Sequence, residues 1–114
     1  MAGAIKRTVG PVALTTTLTT NVYNQGSALI YDVINQIRIA NKTASAATFT
    51  LYLGGTGANA AGTELALGQS VSANSHVDLF FSPGLKMTST DFLVGGAGTT
   101  LALVLTAMGT QHVV

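Results

Sequence analysis

From Ala47 to Leu53 the chain alternates strictly: Phe49, Leu51 and Leu53 fall on one parity, Thr48, Thr50 and Tyr52 on the other. A period of two is the signature of a strand with one buried face, and no helix can satisfy it. The pattern recurs along the chain. Val12, Leu14 and Thr16 alternate with small or hydroxyl neighbours, and Leu18–Asn24 continues in β-branched and aromatic residues. Thr63–Leu67 reads as a short strand, and in His76–Phe81 the residues Val77, Leu79 and Phe81 form an inward face. Leu85–Thr88 and Asp91–Val94 make two more short strands. In Thr99–Ala107, Leu101, Leu103 and Leu105 alternate with Ala102, Val104 and Thr106, so this strand is apolar on both faces. Such a strand belongs in the middle of a sheet or under a neighbouring subunit.

One stretch admits two periods. Leu29, Ile30, Val33, Ile34 and Ile37 fit a helical face with Ser27 as its cap, while Val33–Ala40 also alternates as a strand. Dense β-branching favours the strand. Gly10-Pro11, Gln25-Gly26-Ser27, Asn41–Ala46, Gly54–Gly62, Ser72–Ser75 and Ser82-Pro83-Gly84 supply the turns and loops. About eight short strands of this kind, with no linker and no fixed-period repeat, predict an all-β, two-sheet antiparallel β-sandwich. Its topology is jelly-roll-like or immunoglobulin-like. The sandwich is expected over residues 10–107, with an N-terminal arm at 1–9 and a C-terminal tail at 108–114.

The surface of such a sandwich would be unusual. Only 8% of the 114 residues are charged, against roughly 25% in soluble proteins at large. Disorder is excluded, since disordered chains combine high charge with few apolar residues, whereas 47% of this chain is hydrophobic. No apolar run approaches the ~18 residues of a membrane-spanning helix, and no membrane partner is expected. Net charge is +1, so an isolated monomer has little repulsion to keep it apart from its copies. A subunit covered by neighbours accounts for this composition better than a free monomer. The basic residues Lys6, Arg7, Arg38, Lys42 and Lys86 are scattered in sequence, with no stripe that predicts nucleic-acid binding. The chain lacks cysteine, which removes disulfides and thiolate metal sites. Residues 1–9 have no apolar segment behind their Lys-Arg pair, as a secretion signal would, so cytoplasmic synthesis is expected.

Motifs for chemistry are weak. Gly55-Thr56-Gly57-Ala58-Asn59-Ala60 resembles a dinucleotide-binding turn with Asp78 downstream, but Gly62 and Thr63 break the helix that must follow. A loop between strands is the simpler reading, and no cofactor is expected. Ser75, His76 and Asp78 are the residue types of a hydrolytic triad. On a strand, though, His76 and Asp78 share the outward face while Ser75 points away. His76, His112 and the few acids have no zinc-like spacing beyond His76/Asp78, so no metal is expected. Asn41-Lys42-Thr43 matches a glycosylation sequon and reads as a polar loop. No catalytic residue is assigned, and an enzyme is not expected. The candidate contact elements are Ile5, Lys6, Arg7 and Val9 in the arm, Gly55, Thr56, Gly57 and Asn59 in the glycine-rich loop, and Val104 on the last strand.

Five segments carry a family likeness: Gly10–Thr17, Ile37–Ala44, Thr48–Asn59, Gly62–Ala66 and Asp91–Gly96. Together they make the chain, from about Gly10 to Ala107, similar to small virion structural proteins of tailed bacteriophages. The resemblance implies a β-sandwich on the capsid exterior or in the tail, often at a symmetry axis, and carries over no catalytic residue. It leads to the expectation of a head decoration protein that binds the major capsid protein as a homo-oligomer, with a trimer as the suggested order. A minor tail or neck protein is the alternative within that class. A carbohydrate- or host-surface-binding module is the alternative outside it, disfavoured by the absence of Trp and the dispersal of Tyr23, Tyr31 and Tyr52.

Overall fold

A computed structural model describes residues 4–17, 21–24, 26–54, 64–99 and 101–113. They form eight strands: β1 (Ala4–Ala13), β2 (Asn21–Tyr23), β3 (Ile30–Asn41), β4 (Ala47–Gly54), β5 (Glu64–Val71), β6 (His76–Met87), β7 (Phe92–Ala97) and β8 (Leu103–Val113). Two antiparallel sheets result, in the orders β1-β8-β3-β6 and β2-β7-β4-β5. The two-sheet sandwich expected from the alternation is therefore present, and the ambiguous stretch from Ile30 is strand, as its β-branching favours.

The topology follows from the pairings. β1 pairs with β8, β2 with β7, β3 with β6 and β4 with β5, so the chain is one long hairpin folded about its middle. That hairpin is rolled up, which brings β3 against β8 and β4 against β7. A rolled hairpin of eight strands is a jelly roll, and this decides between the two sandwich topologies.

The core lies between the sheets. Ile34, Ile37, Ile39, Leu103 and Leu105 of the first sheet are fully buried against Phe49, Leu51, Leu93 and Val71 of the second. β8 is central in its sheet, as its two apolar faces require.

Several boundaries differ from the sequence reading, and each difference has a cause. Within the expected arm at 1–9 and tail at 108–114, the described residues 4–9 and 108–113 are strand: β1 begins at Ala4, and β8 runs to Val113 with Ile5 opposite Thr110 and Arg7 opposite Met108. The alternation fades there because the interior at that end is polar. Its inward positions hold Lys6, Asp32, Gly109 and Gln111 in place of aliphatic residues.

Gly10-Pro11 does not open β1 but sits inside it, where the register shifts between Val9 and Val12. Gly10 takes φ +82°, and a Cβ there would meet the Leu105 carbonyl. Ser82-Pro83-Gly84 is likewise a bulge and not a turn. The register passes from Ile34↔Leu85 to Gln36↔Phe80, so Leu85–Met87 is the end of β6 and not a separate strand. Proline is tolerated because β6 is an edge strand, with no partner on its far side among the described residues. β8 begins only at Leu103, since Leu101 adopts φ 59°. β5 extends beyond the predicted Thr63–Leu67, reaching Val71 through Gly68 at φ +54°. Of the strand pattern read from Val12 through Leu18–Asn24, Val12 and Ala13 end β1, residues 14–17 are not strand, Asn21–Tyr23 form β2, and residues 18–20 lie outside the described residues.

Candidate interaction surface

The long strands lie together. β1, β3, β6 and β8 have 10, 12, 12 and 11 residues, against 3, 8, 8 and 6 for β2, β4, β5 and β7. The outer face of the long-strand sheet is built in ranks that run across all four strands. One rank is Ile5, Thr110, Val33 and Lys86. The next is Arg7, Met108, Gln36 and Phe80. Beyond it come Thr106, Arg38 and Asp78, then Ala13, Val104, Ala40 and His76. With strands ~4.8 Å apart, a rank of four residues spans roughly 14 Å.

This face leaves large apolar groups in water. Ile5 is 91% exposed and Phe80 72%, while Met108, Val33 and Val104 are half-buried beside them. Single exposed apolar residues are ordinary; several on one face of a sheet are what contact surfaces look like.

Charge and aromatic contacts order the rim. Arg38 grips Asp78 with both arms, Nε to Oδ1 at 2.7 Å and Nη2 to Oδ2 at 3.1 Å. This hydrogen-bonded guanidinium holds the Asp78 carboxyl below its ordinary range. His76 Nε2 lies 3.6 Å from Asp78 Oδ2. His76 and Asp78 thus share the outward face, with Asp78 committed to Arg38. At the opposite end Tyr31 stacks on His112, ring centroids 5.0 Å apart and planes 10° from parallel. Lys86 Nζ sits 4.6 Å from the Tyr31 centroid. Thr110 Oγ1 is 2.8 Å from His112 Nε2, which fixes the imidazole. A groove of about 290 Å³ opens beside this stack, lined by Ala28, Ile30, Tyr31, Lys86, Thr88 and Ser89.

The interior behind this end holds a polar clamp. Asp32 is fully buried. Its Oδ2 accepts a 2.5 Å hydrogen bond from the Tyr23 hydroxyl of β2, in the other sheet. Lys6 Nζ lies 3.5 Å from Oδ1, and Gln111 Nε2 donates to the same oxygen at 3.5 Å. Burial, and then the bond to Asp32, raise the Tyr23 hydroxyl well above the usual tyrosine range. This cluster ties β1, β3 and β8 to β2 and so sets how the two sheets close.

The predicted contact residues separate accordingly. Ile5, Arg7 and Val104 lie on the outer face of the long-strand sheet. Lys6 and Val9 do not: Lys6 turns inward to Asp32, and Val9 is a core residue at 7% exposure. Adjacent strand residues face opposite sides, so a basic pair in sequence is not a basic pair in space. Gly55, Thr56, Gly57 and Asn59 lie outside the described residues. Asn41 of the sequon is buried, and its amide is fully engaged. Nδ2 donates to the Ser45 and Val71 carbonyls, and Oδ1 accepts from the Thr43 N–H and hydroxyl. The sequon is therefore the clasp of the 42–46 loop. Phe80, Arg38, Lys86 and Met108 were not singled out from the sequence. Phe80 carried a readable signal, since it stands on the outward parity between inward Leu79 and Phe81.

Among the described residues no group of three or more His, Cys, Asp or Glu could hold a metal ion. No helix among them is long and apolar enough to cross a membrane.

No protein-family model matches the chain, and no curated protein does. Among solved structures it is similar to one described as the structure of the infectious bursal disease virus Gx strain, at 9% identity and a TM-score of 0.40. The match covers 96% of this chain and 28% of that one, so the chain spans under a third of the viral protein's length.

Proposed function

We propose that this protein is a structural subunit of a virion: a head decoration protein of a tailed bacteriophage that stabilises the shell by binding the major capsid protein. The carrying observation is the four-stranded outer face on which Ile5 and Phe80 stand in water, with Met108, Val33 and Val104 on the same face. Covering Phe80 alone is worth about 2 kcal/mol. The sequence resemblance and the low charge support the same reading. A jelly roll is compatible with it but serves lectins and cupins as well, so the fold alone does not decide the role.

In this reading the protein is made in the bacterial host cytoplasm and ends on the particle. Its partners are shell protein and further copies of itself, a trimer being the assembly we favour. It is not an enzyme and uses no cofactor, nucleic acid or membrane. The surface that would serve a sugar-binding module is poorly suited to it. One face of the Tyr31 ring is stacked on His112, and Lys86 lies over the ring as well, leaving little open platform for a pyranose.

Quantitative mass spectrometry of purified particles tests the role. A copy number comparable with that of the major capsid protein is expected. A copy number of one small ring per particle would move the protein to the neck or tail, and absence from particles would end the proposal.

A further inference from the structure

We infer that the outer face of the long-strand sheet docks on an acidic protein surface, and that charge fixes which way round the subunit sits. Folding segregates the few charges the sequence scatters. Arg7, Arg38 and Lys86 all reach the outer face of this sheet, where Asp78 is the one acidic residue among those described, leaving +2. Lys6 and Asp32 offset each other in the interior. The remaining charges, Lys42 against Glu64 and Asp91, leave −1 elsewhere, and together these account for the net +1 of the chain. A nearly neutral protein thus has one basic face.

The arrangement on that face selects the class of partner. Lys86 closes one rank at β6, and Arg7 opens the next at β1, so the two cations flank Val33 and Met108 from opposite edges of the sheet. Arg38 is already held by Asp78. Lys86 lies over the Tyr31 ring with no carboxylate partner among the described residues, so two cations without a carboxylate, Arg7 and Lys86, stand among Ile5, Val33, Met108 and Phe80. Nucleic-acid binding by phosphate neutralisation needs more positive charge, in a stripe, and does not need exposed Ile5 and Phe80. An interface with a protein mixes apolar side chains and a few charges in this way, and such charges set orientation and encounter rate. The partner should therefore present carboxylates beside apolar groups. The inference rests on the proposed role only in placing that surface on a virion shell.

The test uses the whole protein and two probes, poly-L-glutamate and a short DNA duplex, with binding sites mapped by NMR. Poly-L-glutamate is expected to shift the resonances of Arg7, Met108, Val33 and Lys86, with affinity falling as salt rises. Arg7→Glu combined with Lys86→Glu should weaken it by about tenfold or more. Arg7→Gln with Lys86→Gln should give a smaller loss and checks that the fold is kept. Ser70→Glu on the other sheet should change nothing. No binding of poly-L-glutamate, shifts centred on Lys42 or the short-strand sheet, or tighter binding of the duplex would each overturn the inference. Decoration-free shells form a separate arm. If they fail to bind while poly-L-glutamate maps to this face, the virion role falls and the basic docking face stands.

Discussion

The two outer faces of the sandwich belong to the same chain and the same low-charge composition, yet they are built differently. The long-strand sheet shows water Ile5, Phe80, Met108, Arg7 and Lys86. The short-strand sheet shows Thr48 and Ser70 facing each other across β4 and β5, and Thr50 opposite Gly96. Thr50 Oγ1 is spent locally, accepting from the Gly68 N–H at 3.0 Å. The long-strand face carries several apolar groups with cations beside them, whereas the short-strand sheet carries mainly small hydroxyls, with Leu67 and Glu64 of β5 as its exposed exceptions. Low overall charge therefore has two meanings here: a mostly hydroxyl exterior on one side, and a surface with a few placed cations on the other.

The largest effects should come from strand approach. At Gly109 a Cβ would run into the Val33 carbonyl, and at Gly95 into the Thr50 carbonyl. Gly109→Ala should cost at least about 4 kcal/mol and Gly95→Ala about 3 kcal/mol, read as lowered urea midpoints. β8 is clasped between β1 and β3 along nearly its whole length, so the first has less room to relax. The reverse order would show the short-strand sheet to be the more tightly set of the two.

Next comes the clamp. Asp32→Ala leaves the Tyr23 hydroxyl and the Lys6 ammonium without their buried partner, and should cost about 2–3 kcal/mol. It should also loosen β2 from the long-strand sheet, visible as faster amide exchange in β2 and in the first residues of β1.

Phe80→Ser separates assembly from folding. It should leave the urea midpoint within about 0.5 kcal/mol of the parent. Binding to decoration-free shells should weaken by about 2 kcal/mol. Ser70→Glu, on the opposite face, should alter neither. Equal losses from both variants would erase the distinction between the faces.

The smallest effect is one of pH. Folding raises the Tyr23 pKa, so it favours the protonated hydroxyl. That contribution is fully present below the unfolded value of about 10 and is lost as pH rises through the folded value. Stability should decline above about pH 10, and Tyr23→Phe should flatten the decline while lowering neutral-pH stability by about 1 kcal/mol. An unchanged alkaline slope in Tyr23→Phe would show that folding does not raise the Tyr23 hydroxyl.

The fold was legible where the interior is apolar. β3, β4 and the first half of β6 follow from Ile37, Ile39, Phe49, Leu51, Val77 and Leu79, because alternation records a buried face. It was illegible where inward positions are polar, as with Lys6, Asp32 and Gln111, so β1 and the end of β8 read as loose ends. Turn chemistry misled for a related reason. Gly10-Pro11 and Ser82-Pro83-Gly84 serve as bulges in edge strands, and a sequence does not say which strands are edges. Ile5, Arg7 and Val104 could be read as candidates one by one. That Arg7, Phe80 and Lys86 share a face depends on β1 and β6 flanking β8 and β3, a long-range pairing that no local pattern encodes.

A cryo-EM reconstruction of the particle tests the central claim most directly. The account predicts Ile5, Phe80 and Met108 covered by the shell protein, with shell carboxylates near Arg7 and Lys86, while Thr48 and Ser70 face solvent. A subunit seated through Thr48 and Ser70, with Phe80 left in water, would contradict it.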